Sequence, residues 1–116
     1  MRVKNLRKVY KAPVTQCGKG KVFQAVTNLS FGIEIGECFA LLGVNGAGKS
    51  TTFKTLCNEV QASSGSVMIG KFDVNADFSQ VRKMIGYCPQ TNPIFDSLTV
   101  RMHVEYYAQI KGIPAD

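Results

Sequence analysis

The rhythm of apolar and polar positions changes repeatedly along the chain. Residues 2–10, RVKNLRKVY, mix basic and apolar positions in the manner of a modest strand. The next stretch, 11–21, holds Pro13, Gly18 and Gly20 and reads as a loop. From there the alternation is regular. Phe23, Ala25, Thr27, Leu29, Phe31, Ile33 and Ile35 share one parity, which predicts a strand, bent or broken near Gly32 and closed by a turn at Gly36-Glu37. CFALLG, residues 38–43, is apolar on both parities, as a strand covered on both faces would be.

Past the glycines the period lengthens. Phe53, Leu56, Cys57 and Val60 fall at i, i+3, i+4 and i+7, one face of a helix that ends at ASSG, 62–65. SVMIG, 66–70, predicts a short strand. Asp77 is placed to cap a short helix carrying Phe78, Val81 and Ile85. IGYC, 85–88, predicts another strand, closed by Pro89, and QTNPIFDS, 90–97, a loop. A last helix is expected from about Thr99 to Lys111, with Val100, Val104, Tyr107 and Ala108 on one side. Arg101 and Glu105 lie one turn apart on it, and Gly112 and Pro114 stop it. The mixture of strands and helices predicts an α/β chain with two or three strands before its first helix. Strands near 39–43 and 84–88 would need neighbours that this chain is not expected to supply in full, so part of a larger domain is expected.

Composition narrows the classes. With 116 residues, 45% of them apolar, the chain suits one small domain with a core. Its longest apolar run, Cys38 to Leu42, is far too short to cross a membrane, and no hydrophobic signal region follows Met1. Cys17, Cys38, Cys57 and Cys88 form no Cys-x-x-Cys pair. With His103 as the sole histidine they read as small apolar residues of a reducing compartment, without a zinc cluster. His103 itself reads as an ordinary helix or surface histidine. The net charge is +6, and seven basic residues from Arg2 to Lys21 precede the first acid, Glu34. A solvated strand face accounts for them, as would nearby phosphates or an anionic membrane surface. They are not interleaved with aromatics, which argues against nucleic acid.

The sharpest chemistry lies at Gly43-Val44-Asn45-Gly46-Ala47-Gly48-Lys49-Ser50, which fits G-x-x-x-x-G-K-[ST]. Glycines let the backbone curl until successive amides face one concavity. The helix beginning there aims its free amides and positive dipole end at the same point. Lys49 adds a full charge for β- and γ-phosphates, Ser50 an oxygen for Mg²⁺, and Thr51 and Thr52 a further phosphate contact. Tyr10 lies 39 residues before Lys49 at the end of a basic strand, where it could stack on a purine with Lys8 or Lys11 near the phosphates. Gln90 lies 41 residues after Lys49, at the end of a predicted strand, where its amide could reach a metal or water.

Tyr10, AVTNLSFGIEIGE, LLGVNGAGKSTTFKTL, SSGSVMIG and IGYCPQ occur in one order and spacing. The chain thereby resembles the nucleotide-binding domain of ATP-binding cassette (ABC) transporters over nearly its whole length. The tail DSLTVRMHVEYYAQIKGIP is most similar to the A subfamily, associated mainly with lipid movement. The resemblance implies a partial P-loop NTPase core with an amino-terminal antiparallel β subdomain, residues 1–116 forming the amino-terminal part of one ATP-binding domain. It implies ATP and Mg²⁺ as cofactors. Tyr10 would stack on adenine with Val26 near the ring, Asn45, Gly46, Ala47, Gly48, Lys49, Ser50 and Thr51 would wrap the phosphates, and Ser50 and Gln90 would attend the metal. It further implies three partners: a second nucleotide-binding domain in a head-to-tail dimer, a transmembrane domain touching the Gln90 loop, and a carboxy-terminal half of the same domain. The location would be the cytoplasmic face of a membrane. The loop at 11–21 departs from the family in exceeding what a tight hairpin needs.

The family's Leu-Ser-Gly-Gly-Gln-like signature, its apolar strand ending in Asp-Glu and its switch histidine have no counterpart in these residues. Phosphoryl transfer needs a held metal and a positioned water. The expectation is therefore that this chain alone binds Mg-ATP without useful turnover, the alternative being a truncated ATP-binding or interaction module that never hydrolyses. A GTPase would show Asp-x-x-Gly and Asn-Lys-x-Asp and a nucleotide kinase an arginine-rich lid; the chain has neither string, and Arg82 and Arg101 do not make a lid.

Overall fold

The computed structural model describes residues 1–11 and 22–114, which divide into two compact units, Met1–Met84 and the residues from Ile85 onward. Cys17 and the predicted loop beyond Lys11 lie outside the described residues.

The first unit is built on a four-stranded antiparallel sheet of order β2-β1-β3-β4, from β1 (Arg2–Lys11), β2 (Val22–Gly32), β3 (Ser64–Ile69) and β4 (Phe72–Asp73). Two helices, α1 (Lys49–Leu56) and α2 (Phe78–Met84), complete it. Its core is small and aliphatic: Val3 and Leu6 of β1, Val67 of β3, Val74, and Val81 of α2 are all at most 1% exposed. β1 is one of the two inner strands, paired with β2 on one side and β3 on the other. It is bulged rather than straight. Asn5 takes a left-handed φ of 48°, and Ser30 of β2 covers the irregularity by accepting from the Asn5 amide at 2.8 Å.

Two further slips, with the extra residue on β2, correct the alternation expected of that strand. The register slips between Leu6 and Lys8 and again between Lys8 and Val9, so the residues of β2 do not all keep one facing. A one-residue slip turns every later side chain to the opposite face. Leu29 and Phe31 stay half-buried on the expected parity, but the buried position nearer the amino end is Val26, and Phe23 is 60% exposed. The break at Gly32, where β2 ends, and the turn at 34–37 are as expected. Glu37 closes that turn by accepting from the Glu34 amide.

Helix α1 is shorter than its periodicity predicts. Cys57 caps it, and Asn58 enters the left-handed region at φ 56°. The Glu59 amide then turns back to the Lys54 carbonyl at 2.8 Å, so Cys57 and Val60 fall beyond the helix. Its inward face is Thr52, Thr55 and Leu56, and Phe53 is 45% exposed. The two buried threonines each bond the carbonyl one turn back, Thr52 to Gly48 at 3.0 Å and Thr55 to Thr51 at 2.9 Å. A hydroxyl satisfied within its own helix can be buried at little cost.

β4 forms a tight hairpin with β3 around Gly70-Lys71, where the sequence pattern gave no strand. Asp77 does begin α2, its carbonyl accepting from the Gln80 and Val81 amides, but its carboxylate turns back to the Asp73 amide. The two expected strands at 38–43 and 85–88 are not in the sheet. A ladder needs a partner, and these segments have none among the described residues. Leu42 and Val44 are left 87% and 79% exposed.

The second unit is a loop folded against α3 (Val100–Ile110). Thr99 caps the helix through its hydroxyl, which accepts from the Met102 amide, and Gly112 leaves it at φ 78°. Arg101 and Glu105 pair at 2.7 Å as expected. No residue of α3 is buried, and Val100 and Val104 are 82% and 65% exposed.

Of the described cysteines, Cys38 and Cys88 are exposed and Cys57 is half-buried; all three are free. Burial, with Glu59 adding to it, pushes the Cys57 thiol above its ordinary value, which keeps it protonated and unreactive. No group of His, Cys, Asp or Glu among the described residues could hold a metal alone, and no helix is long and apolar enough to cross a membrane.

Leu6 is fully buried in the strand that joins both halves of the sheet. Leu6→Ala should lower unfolding free energy by about 2–5 kcal/mol, read as a shift in urea midpoint, whereas Gln24→Ala on exposed β2 should stay within about 0.5 kcal/mol.

Candidate nucleotide-binding site

The glycine-rich turn links the extended segment 37–44 to α1. Asn45 and Gly46 make the bend, and the Ala47 amide reaches back to the Val44 carbonyl at 3.2 Å. Gly48 then takes φ 89° and becomes the N-cap of α1, with no side chain capping the helix. The amides that open a helix have no partner within it, so this end remains a concentration of donors.

Gly48 is constrained twice. Its backbone is left-handed, and it lies directly against β2: a Cβ there would sit on the Ala25 carbonyl oxygen and within 3.1 Å of Val26 Cγ2. The sheet therefore sets the approach of the turn. Val26, expected near an adenine ring, is 8% exposed and backs the turn.

Lys49 folds over the turn that precedes it. Its Nζ donates to the Gly43 carbonyl at 2.6 Å and the Val44 carbonyl at 2.8 Å. An ammonium has three donors, so one remains for a ligand. Ser50 follows, exposed at the start of the helix, and Thr51 is half-buried. Thr52, expected to add a phosphate contact, instead points its hydroxyl at the Gly48 carbonyl.

Tyr10 stands at the far end of β1, opposite Phe23 of β2. It is 37% exposed, with Lys8 Nζ 4.9 Å from its ring centroid. That ammonium also donates to the Gln61 carbonyl, and Ser63 ties down the same strand end by accepting from the Val9 amide. Arg7, Lys8, Tyr10, Lys11, Val22 and Ser63 line an open, basic depression here. Along β2, Phe23, beside Tyr10, and Val26, behind Gly48, are three positions apart, about 10 Å at strand rise. One strand thus carries both the aromatic end and the turn. Ala25, Gln61 and Ser63 were not singled out by sequence; a backbone carbonyl behind a glycine leaves no mark in residue identity.

Gln90 belongs to the second unit, where it is exposed at the start of the 90–98 loop. The rest of that loop is held to α3. The Tyr107 hydroxyl donates to the Pro93 carbonyl at 3.2 Å, and His103 accepts from the Phe95 amide. His103, expected to be unremarked, is half-buried with backbone partners on both ring nitrogens.

Comparison with known proteins agrees with this geometry. The ABC transporter family profile matches residues 26–114. ATP-binding cassette sub-family A member 2 of Rattus norvegicus is 42% identical over 114 residues, which cover 98% of this chain and 4% of that protein. Phospholipid-transporting ATPase ABCA3 of Homo sapiens is 43% identical over 112 residues, 97% of this chain and 6% of that one. The chain thus spans only a few per cent of the length of these relatives. Among solved structures, an ATP-binding subunit of an ABC transporter superposes with TM-score 0.75 at 26% identity, covering 97% of this chain and 43% of that one. A dimeric ATP-binding cassette, MJ0796, in a post-hydrolysis state bound to ADP and Pi, superposes with TM-score 0.78 at 25% identity, covering 99% and 49%. The antiparallel sheet, the glycine turn on β2 and these matches together make the chain a member of the ABC transporter family, an A-subfamily nucleotide-binding domain with a partial P-loop NTPase fold.

Proposed function

We propose that this chain supplies the phosphate-binding and adenine-facing part of an ATP site in a transporter's nucleotide-binding domain. The observation that carries the reading is the turn at 43–49, where a side chain on Gly48 has no room and Lys49 Nζ closes over the backbone. A concavity walled by backbone, headed by free helix amides and edged by one ammonium suits a polyphosphate better than any uncharged ligand.

The remaining roles follow from chemistry. Amides of residues 45–51 and Lys49 bind and orient the β- and γ-phosphates. The Tyr10 ring offers a face for adenine, Lys8 and Lys11 supply positive charge beside it, and Val26 holds Gly48 in place from behind. The donor set fits Mg²⁺ as an ion shared with phosphate oxygens: the Ser50 hydroxyl is exposed at the helix start, and the described residues offer no carboxylate cluster that would hold a metal unaided. Mg²⁺ would neutralise phosphate charge, and Gln90 would sense its occupancy from a loop that meets the transmembrane part.

Two relatives carry phospholipid transport in their names, which supports phospholipid as the cargo of the assembly to which this domain belongs, at the cytoplasmic face of a membrane. The dimeric cassettes among the structural neighbours support a second nucleotide-binding domain as partner. The 116 residues contain no signature string and no apolar strand ending in Asp-Glu to position an attacking water. The chain alone therefore binds ATP without turning it over at a useful rate.

Equilibrium titration with a fluorescent ATP analogue tests the site. Lys49→Ala should weaken binding by at least about tenfold, the value of one charge-assisted hydrogen bond, with the circular dichroism spectrum unchanged. Unchanged affinity in a folded sample would overturn the assignment. Gly48→Ala should also weaken binding, and because its Cβ meets β2 it should lower thermal stability as well, a loss that Lys49→Ala should not share. Phosphate release measured on the same sample should stay near background; steady turnover would refute the division between binding and hydrolysis.

A further inference from the structure

Two backbone groups grip the His103 ring from opposite sides. Nε2 lies 2.9 Å from the Phe95 amide nitrogen, and Nδ1 lies 3.0 Å from the Thr99 carbonyl oxygen. An amide can only donate and a carbonyl can only accept, so the ring must be neutral, with its proton on Nδ1. The Phe95 ring stacks on the imidazole with centroids 6.1 Å apart and also meets Tyr106 edge-on at 5.7 Å. Phe95 in turn accepts from the Leu98 amide at 3.0 Å, so the turn that leads into α3 closes on the same residue. Tyr107 holds Pro93 from the next turn of the helix.

We propose that His103 is the positioning residue of the 90–98 loop: in its neutral Nδ1–H form it pins the Phe95 backbone to α3, and protonation releases it. A proton on Nε2 would set two donors face to face at 2.9 Å, removing the bond and adding repulsion. The other titratable groups on these two segments are Asp96 in the loop and Arg101, Glu105, Tyr106, Tyr107 and Lys111 on or just past the helix. Arg101 and Glu105 are paired with each other, and Lys111 donates to the Ile85 carbonyl. Imidazole is the one side-chain type among these that ordinarily changes charge between pH 5 and 8. The pin stabilises the ordered loop at neutral pH and is lost as pH falls. Because the same loop opens with Gln90, its course from that residue onward becomes pH-dependent. The pin needs no nucleotide, so it stands or falls separately from the ATP site.

Amide hydrogen exchange and ¹⁵N NMR on the 116-residue chain test this. At pH 7.5 the ring should show the Nδ1–H tautomer, and the Phe95 amide should be protected. At pH 5.5, after correction for intrinsic exchange, its protection should fall by about fivefold, the value of one net hydrogen bond. His103→Gln offers an acceptor at the Nε2 position that does not titrate, and should keep Phe95 protected at both values. His103→Phe keeps the aromatic stack without an acceptor, and should leave Phe95 unprotected at both. Tyr107→Phe should keep the pH response intact, which guards against general loosening of the helix. An Nε2–H tautomer at neutral pH, equal Phe95 protection at pH 7.5 and 5.5, or protection retained in His103→Phe would each overturn the proposal.

Discussion

The carbonyl of Ala25 occupies the space where a side chain at position 48 would have to be. Much of the site follows from that contact. It brings the glycine turn onto β2 and fixes where α1 begins. Ala25 sits at a register slip of the edge strand β2, between Gln24 and Val26, which pair with Val9 and Lys8, and there its carbonyl forms a wall against the turn. A glycine pressed on that wall is located more accurately than one in an open loop. Val26, buried beside it, belongs to this support and not to the solvent-facing surface.

The sheet that provides the wall is itself assembled around β1. Val3 and Leu6 pack inward while basic residues occupy the positions between and beyond them. The extra residues that β2 inserts opposite the Leu6–Val9 stretch of β1 shift its register there, and Val26 lies inward at that point. Toward its carboxyl end β1 presents Tyr10 and Lys8, held by the Gln61 carbonyl and by Ser63, both from the connection that follows α1. The aromatic end and the turn are thus tied through two separate routes, one along β2 and one through residues 61–63.

Features carried by local chemistry were legible in the sequence, and those that depend on partners were not. The G-x-x-x-x-G-K-[ST] spacing, the helix start near Thr99, the Gly112 stop and the Arg101–Glu105 pair are all encoded within a few residues, and each is present. The family and its fold class were legible as well, because an ordered set of short motifs survives where single ones do not. The alternation of β2 was legible only up to the bulges, which residue type does not announce. Asn58 ended α1 early against a periodicity that continued to Val60. The apolar segments 38–43 and 85–88 have strand composition, but a strand is a relation between two segments, and no neighbour pairs with them here. Gln90 lies in a separate unit, and its role rests on the family resemblance.

The way Lys49 is held bears on how readily the site can fill. Its charge is soothed by two peptide dipoles, those of Gly43 and Val44, and by no carboxylate among the described residues. An arriving anion would then face no resident counter-ion. It would compete with neutral oxygens for a cation that already leans over the entrance, and full electrostatic attraction would be on offer from the first encounter. Such an arrangement orders the lysine through neutral partners and leaves its charge without a carboxylate counter-ion among the described residues.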